Sequence, residues 1–205
     1  MNETIIPRTI TVVRWQLIPD GGLSDDAFLA ICQANPDMRV ERTAKGAIII
    51  MSPAGAESSR LNLKLGAVIE AWAERDGTGV AFDSSAGFAL PNGAIRSPDV
   101  AWVRRTRWDT LTQAQRSSFP PLCPDFVVEI RSPTDRPRHL RLKMDEYVAN
   151  GTVLGWLIDP RARTVEVYRP GRPVERLDRP FDVRGDPELP GLVVDLRSLW
   201  GDGLA

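Results

Sequence analysis

Apolar residues at Leu61, Leu65, Val68 and Trp72 return at the spacing of one face of an α-helix, and the pattern stops at Asp76-Gly77-Thr78-Gly79. A second helix is predicted over about 139–149, with Leu140, Met144, Tyr147 and Val148 on one side. A shorter one starts after Ser24, where Asp25 and Asp26 precede the stripe Phe28, Leu29 and Cys32. Between and after these helices the pattern belongs to strands. Residues 39–42 and 47–51 flank the turn Thr43-Ala44-Lys45-Gly46 and read as a hairpin. Residues 80–83, 87–90 and 99–103 alternate with turn-rich pieces such as Pro91-Asn92-Gly93. Residues 126–131 open with Phe126-Val127-Val128, which implies burial on both faces. Residues 153–158 are almost wholly apolar, and 164–168 are their expected hairpin partner; short strands and proline turns follow Pro170.

This order predicts an α/β fold: a mixed, twisted β-sheet flanked by helices, with an N-terminal helix and β-hairpin. No internal repeat or low-complexity linker divides the chain, so one domain is expected over residues 1–205.

Composition narrows the chemistry. With 26 basic and 27 acidic side chains the net charge is −1, which argues against a coat for nucleic acid but leaves room for a local basic cleft. The single histidine, His139, excludes two-histidine metal sites. The two cysteines, Cys32 and Cys123, lack CxxC spacing; they favour a reducing, cytoplasmic setting over a disulfide framework or a cysteine zinc site. No apolar run approaches the roughly 20 residues of a membrane helix. The opening residues, with Arg8 and no long apolar stretch behind it, do not read as a secretory signal.

Two carboxylates stand out by context. Asp99 follows Ser97-Pro98 at a strand start, and Glu129 lies inside Phe126-Val127-Val128-Glu129-Ile130, where an unpaired charge is costly. Glu129 and Arg131 fall on the same side of a strand. Lys143 borders the apolar stripe of its helix; on spacing alone, a lysine there more often snorkels to water. Together, Asp99, Glu129 and the main-chain carbonyl of Ile130 are oxygen donors suited to Mg²⁺ or Mn²⁺. With Lys143 to orient or deprotonate water, the set fits metal-assisted hydrolysis of a phosphodiester. Arg131, Arg136, Arg138 and Arg141, and a second group at Arg104, Arg105 and Arg107, are candidates for gripping a phosphate backbone. The plainer reading makes each a solvated arginine, and makes Glu129 the partner of Arg131 or Lys143 in an ion pair that only stabilises the sheet. Trp102 and Trp108 are more readily core than base-stacking residues.

Several segments in order carry a resemblance: Ser97-Pro98-Asp99-Val100-Ala101-Trp102-Val103, Pro124-Asp125-Phe126-Val127-Val128-Glu129-Ile130-Arg131-Ser132-Pro133, and Lys143-Met144-Asp145-Glu146-Tyr147. Asn150-Gly151, Gly155-Trp156-Leu157-Ile158-Asp159-Pro160, Val165-Glu166-Val167-Tyr168 and the early Met51-Ser52-Pro53 extend it. Over about residues 25–195 the chain resembles the Uma-two family of restriction-endonuclease-like proteins, within the PD-(D/E)XK nuclease-like superfamily. The resemblance implies a Mg²⁺-dependent nuclease site with Asp99 as the PD aspartate and Glu129 as the acid of the next strand. Arg131 stands where the superfamily usually has lysine, and arginine is a poor base. Lys143 resembles a lysine moved to the neighbouring helix, and Glu41 or Glu57, with Glu41 favoured, is the additional acid. The expected function is endonuclease cleavage of DNA. The alternative is a catalytically degenerate member that binds nucleic acid or another partner. A hydrolase of small phosphorylated ligands lacks support from any glycine-rich phosphate loop. A homodimer is expected because a two-fold pair suits double-strand cleavage; Leu192, Leu199 and Trp200 are candidates for its interface and equally for a cap on the core.

Overall fold

The computed structural model describes residues 23–200 except Pro36, Ser52 and Ser198; the opening stretch judged unlike a secretory signal lies outside them. Helix α1 (Asp25–Ala34) starts at Ser24, whose hydroxyl accepts the Ala27 N–H, with Asp25 and Asp26 in the favourable first turn. Strands β1 (Arg39–Arg42) and β2 (Ile48–Met51) form an antiparallel hairpin whose turn places Gly46 at φ 79°. Helix α2 (Ala56–Asp76) ends at Gly77 in the left-handed conformation.

The buried face of α2 is Leu61, Leu65, Ile69, Trp72 and Ala73, whereas Val68 is exposed. At about 100° per residue, Ile69 falls near the middle of that arc and Val68 just outside it. The sequence reading therefore placed Val68 on the wrong side of the stripe.

Strands β3 (Gly79–Asp83), β4 (Phe88–Ala89), β5 (Ile95–Arg96) and β6 (Val100–Arg104) come next, followed by the single-turn helices α3 (Arg105–Trp108) and α4 (Gln113–Arg116). Strand β7 (Phe126–Ile130), helix α5 (Pro137–Ala149), β8 (Leu154–Asp159) and β9 (Thr164–Tyr168) complete the centre. Strands β10 (Glu175–Asp178), β11 (Asp182–Arg184) and β12 (Val193–Asp195) close the described chain. The main sheet has the order β10-β9-β8-β7-β6-β3. It is antiparallel except for β7 and β8, which α5 joins by a crossover. A smaller sheet, β2-β1-β5-β4, stands beside it, and β11 pairs with β12. This is the mixed α/β architecture expected from the sequence.

Alternation along β7 sorts its side chains between two cores. Phe126, Val128 and Ile130 pack with Trp156, Ile158 and the buried face of α2. Val127 faces the other way, toward Leu157, Met144 and Tyr147. Glu129 shares that second face, which is why it meets α5. Leu192, Leu199 and Trp200 are buried in the first core, so they cap it and offer no surface for a partner.

Gly79 is required by packing. A Cβ there would come within 2.2–2.4 Å of the Trp102 indole, which is itself wedged against Trp72. Gly79→Ala is expected to destabilise the protein by about 1–3 kcal/mol in urea unfolding. Gly66→Ala, on α2 with open space around the added methyl, is expected to stabilise it by roughly 0.5–1 kcal/mol.

Candidate active site

The end of β6 is where the sheet ladder stops, and proline causes it. The β6–β7 register pairs Val100 with Val128; continued outward, it sets Asp99 opposite Glu129 and Pro98 opposite Ile130. Proline has no N–H to give, so the Ile130 carbonyl can receive no ladder bond from that position. The Ile130 N–H instead donates to Asp99 Oδ2 at 2.7 Å. In a strand the carbonyl of a residue points to the same neighbour as its N–H, so the Ile130 carbonyl also faces this edge. Asp99 Oδ1 accepts the Asn62 side-chain amide of α2 at 3.0 Å, fixing the carboxylate from a second element.

Beside Asp99, one lysine is held by two carboxylates from different sheets. Lys143 Nζ of α5 lies 2.7 Å from Glu129 Oε1 and 2.8 Å from Glu41 Oε1, with the Ser97 carbonyl at 3.4 Å. The Tyr147 hydroxyl, one turn further along α5, also donates to Glu129 Oε1 at 3.1 Å. Glu41, on β1, accepts the Ser97 N–H and Arg96 Nη1, each at 3.0 Å. Arg96 in turn donates from Nε to Glu146 at 2.6 Å.

Charge in this cluster is unbalanced. Glu129 and Glu41 hold one ammonium, whose charge also reaches Asp99, and Arg96 is shared between Glu41 and Glu146. Burial raises the Glu129 carboxyl; Lys143 opposes the rise, Asp99 and Glu41 add to it, and the result is about 7. Burial likewise raises Asp99, against the pull of the Ile130 N–H and Lys143. For Glu41 burial is outweighed by Lys143 and Arg96, and its carboxyl falls below the usual range. Burial disfavours the Lys143 ammonium, but Glu129 and Glu41 reverse this and hold it above its ordinary value. Lys143 is thus a firmly protonated cation, suited to orienting and stabilising negative charge and unsuited, in this arrangement, to removing a proton.

The other sequence candidates lie elsewhere. Arg131 turns from Glu129 to Asp159, at 2.6 Å, and also reaches the Asp135 carbonyl. The Glu129 pairing left open between Arg131 and Lys143 is therefore with Lys143, and the snorkelling expected of Lys143 does not occur. Arg141 makes a two-toothed pair with Glu166. Arg136 and Arg138 are exposed at the start of α5. Arg104 and Arg107 pair with Asp125, and Arg105 binds the Gly77 and Gly79 carbonyls. These three are at the far end of β6 or beyond it, and the expectation that they serve this edge fails on geometry. Glu57 is on the exposed start of α2, paired with Arg60, and Glu41 is the acid that joins the cluster. Asn62, Arg96 and Tyr147 were missed: Asn62 and Tyr147 lay within helical stripes read only for packing, and Arg96 within a strand too short to show a period.

The model of the family described as "putative restriction endonuclease", Uma2, matches residues 25–197. The chain belongs to the Uma2 family. A crystal structure from Anabaena variabilis, described as a putative nuclease belonging to DUF820, shares the fold. The likeness has a TM-score of 0.68 and 23% identity, over 80% of this chain and 91% of that one. Among curated proteins none matches significantly.

This Uma2 chain has no ready-made cage of three Asp, Glu, His or Cys side chains among the described residues. Its edge nevertheless fits a hard divalent cation. The half-buried Asp99 and the buried Glu129 stand near each other with fewer cations than negative charges, and Pro98 has no N–H to offer the Ile130 carbonyl.

Glu129 also sets a pH dependence. Its folded value of about 7 lies above the ordinary 4.5, so folding retains a proton that the unfolded chain has lost. Its stabilising contribution is full below about pH 4.5 and is lost as pH rises through 7. In urea unfolding without metal, the wild type should lose stability relative to Glu129→Gln across that window, by on the order of 3 kcal/mol. A pH-independent difference would contradict the assigned burial.

Proposed function

We propose that this Uma2 protein is a metal-dependent endonuclease that hydrolyses phosphodiester bonds in DNA. The observation that supports it most is the convergence of Asp99, Glu129 and Lys143 at one sheet edge, where Pro98 ends the ladder beside Ile130. Family membership and the nuclease-like fold support the same reading. Asp99, Glu129 and the Ile130 carbonyl would hold Mg²⁺ or Mn²⁺. When bound, such an ion supplies Lewis-acid stabilisation of a phosphate oxygen and polarises a water molecule.

The chain's own residues do the rest. Asn62 and the Ile130 N–H hold Asp99 in one orientation while leaving lone pairs on both oxygens. Lys143 offers a fixed positive charge to the phosphate as negative charge builds on it. Glu41 retains that ammonium whichever way Glu129 turns, because it holds Lys143 independently at 2.8 Å. Arg136 and Arg138, exposed on the first turn of α5, would contact the DNA backbone. Arg131 and Arg141 are committed to Asp159 and Glu166, and we assign them a structural part.

Cleavage of supercoiled plasmid by purified protein with Mn²⁺, Mg²⁺ or chelator tests the proposal. The nearly isosteric Asp99→Asn and Glu129→Gln variants should each lower metal-dependent cleavage on the order of 10²-fold or more while remaining folded. Wild-type protein that binds DNA without metal and cuts nothing would instead identify a binding module on a nuclease scaffold.

A further inference from the structure

The arginines near the carboxylate edge differ in what they have left to offer. Arg131, Arg42 and Arg96 are each spent on carboxylates. Lys143 is spent on two. Arg39, at the start of β1, is the exception. It is half-buried, and among the described residues it pairs with no carboxylate. Its one hydrogen bond there runs from Nη2 to the Ser84 carbonyl at 2.9 Å.

That anchor fixes where the guanidinium sits. The β3–β6 ladder ends with Asp83 paired to Val100, so Ser84 and Asp99 are the residues that leave the two strands at the same end. The β6–β7 register sets Glu129 opposite Asp99 on the other side. Ser84, just after β3, Asp99, just before β6, and Glu129, near the end of β7, therefore lie at the same end of three neighbouring strands. Lys143 stands beside Glu129 and Arg39 beside Ser84. The charge of Arg39 reaches Asp99, where it opposes the effect of burial on that carboxyl. A guanidinium carries five N–H donors in a planar fork, and the Ser84 carbonyl occupies only part of it. The remaining donors match two oxygens of a phosphate.

We propose that Arg39 is a further catalytic residue, contacting the non-bridging oxygens of the scissile phosphodiester from the Ser84 side of Asp99. This rests on the nuclease reading above. On it, the phosphate is held between Arg39 and Lys143, with the Asp99 edge beneath. Lys143 is immobilised by its carboxylates; Arg39 has unused donors and is the cation that binds the phosphate as a fork.

The test compares full-length wild type, Arg39→Met, Arg39→Lys and Asp99→Asn in two measurements: plasmid cleavage kinetics with Mn²⁺, and calorimetric titration with Mn²⁺ alone. Arg39→Met should lower kcat on the order of 10²-fold. Its Mn²⁺ affinity should be unchanged or tighter, because a neighbouring positive charge is gone. Arg39→Lys, which keeps charge but not the fork, should fall between it and the wild type. A folded Arg39→Met that cleaves at the wild-type rate overturns the proposal. So does a loss of Mn²⁺ affinity parallel to the loss of cleavage, since Arg39 would then only brace Ser84 and Asp99. If Arg39→Met does not fold, the same two readouts on Arg39→Lys decide. A wild type that cleaves no DNA with any metal overturns the nuclease reading and this proposal together, whereas a cleaving wild type with an unaffected Arg39→Met overturns this one alone.

Discussion

A buried ammonium shared by Glu129 and Glu41 ties the two sheets together at one edge. Glu129 belongs to the six-stranded sheet, Glu41 to the four-stranded one, and Lys143 to the crossover helix. Buried charges are costly to desolvate, and this group recovers the cost only because nearly every donor meets an acceptor. Arg96 and Ser97 complete Glu41; Tyr147 completes Glu129. Removing Lys143 would leave the buried Glu129 with the Tyr147 hydroxyl as its remaining side-chain partner. The positions of both sheets and α5 are thus coupled through one cluster, and that coupling brings residues from widely separated parts of the sequence to a single edge.

The cluster is stable and yet electrostatically incomplete. A core built for stability alone would match carboxylates with cations. Here two carboxylates share Lys143 with Asp99 close by, and burial together with these neighbouring charges raises the Glu129 carboxyl to about 7. A neighbouring carboxylate whose lone pairs are partly open, and a carbonyl denied its donor by Pro98, add to the excess of acceptors. Perturbed carboxyls of this kind concentrate where a protein must receive a charged ligand. Arg131 with Asp159 and Arg141 with Glu166 are one-to-one pairs by contrast.

The long elements were legible in the sequence because each carries several periods. Helices α2 and α5 and strands β7 to β9 emerge from helical spacing and from unbroken apolar runs. Strand β5 and helices α3 and α4 have two or four residues each and leave no period to find. Asp99, Glu129 and Glu41 were visible as acids in apolar or motif context. Side-chain direction at a strand end was not. Arg131 follows Glu129 by two residues and belongs by alternation on its face, yet β7 ends at Ile130 and alternation ends with it. Beyond that point Arg131 follows the nearest carboxylate, which is Asp159 of the parallel neighbour β8. The same reasoning explains the missed contacts of Asn62 and Tyr147: helical spacing ranks positions by burial, and does not tell which buried side chain finds a polar partner across the core.

The pairing of Glu129 with Lys143, and not with Arg131, has a mechanical consequence. A cation supplied from β7 itself would be placed by the sheet ladder, whereas Lys143 is placed by the rotation of α5. That rotation is set by Met144 and Tyr147, both fully buried against the second face of the sheet. Gly155 of β8 makes the close approach possible, because a Cβ there would lie 2.5 Å from the Met144 methyl. The packing of Met144 over Gly155 and the aim of Lys143 at Glu129 are consequences of one helix seating, since adjacent residues on a helix turn together. Arg131 locks the ends of β7 and β8 through Asp159. The cation beside Glu129 thus reaches the sheet edge from the helix, and not from the strand that carries Glu129.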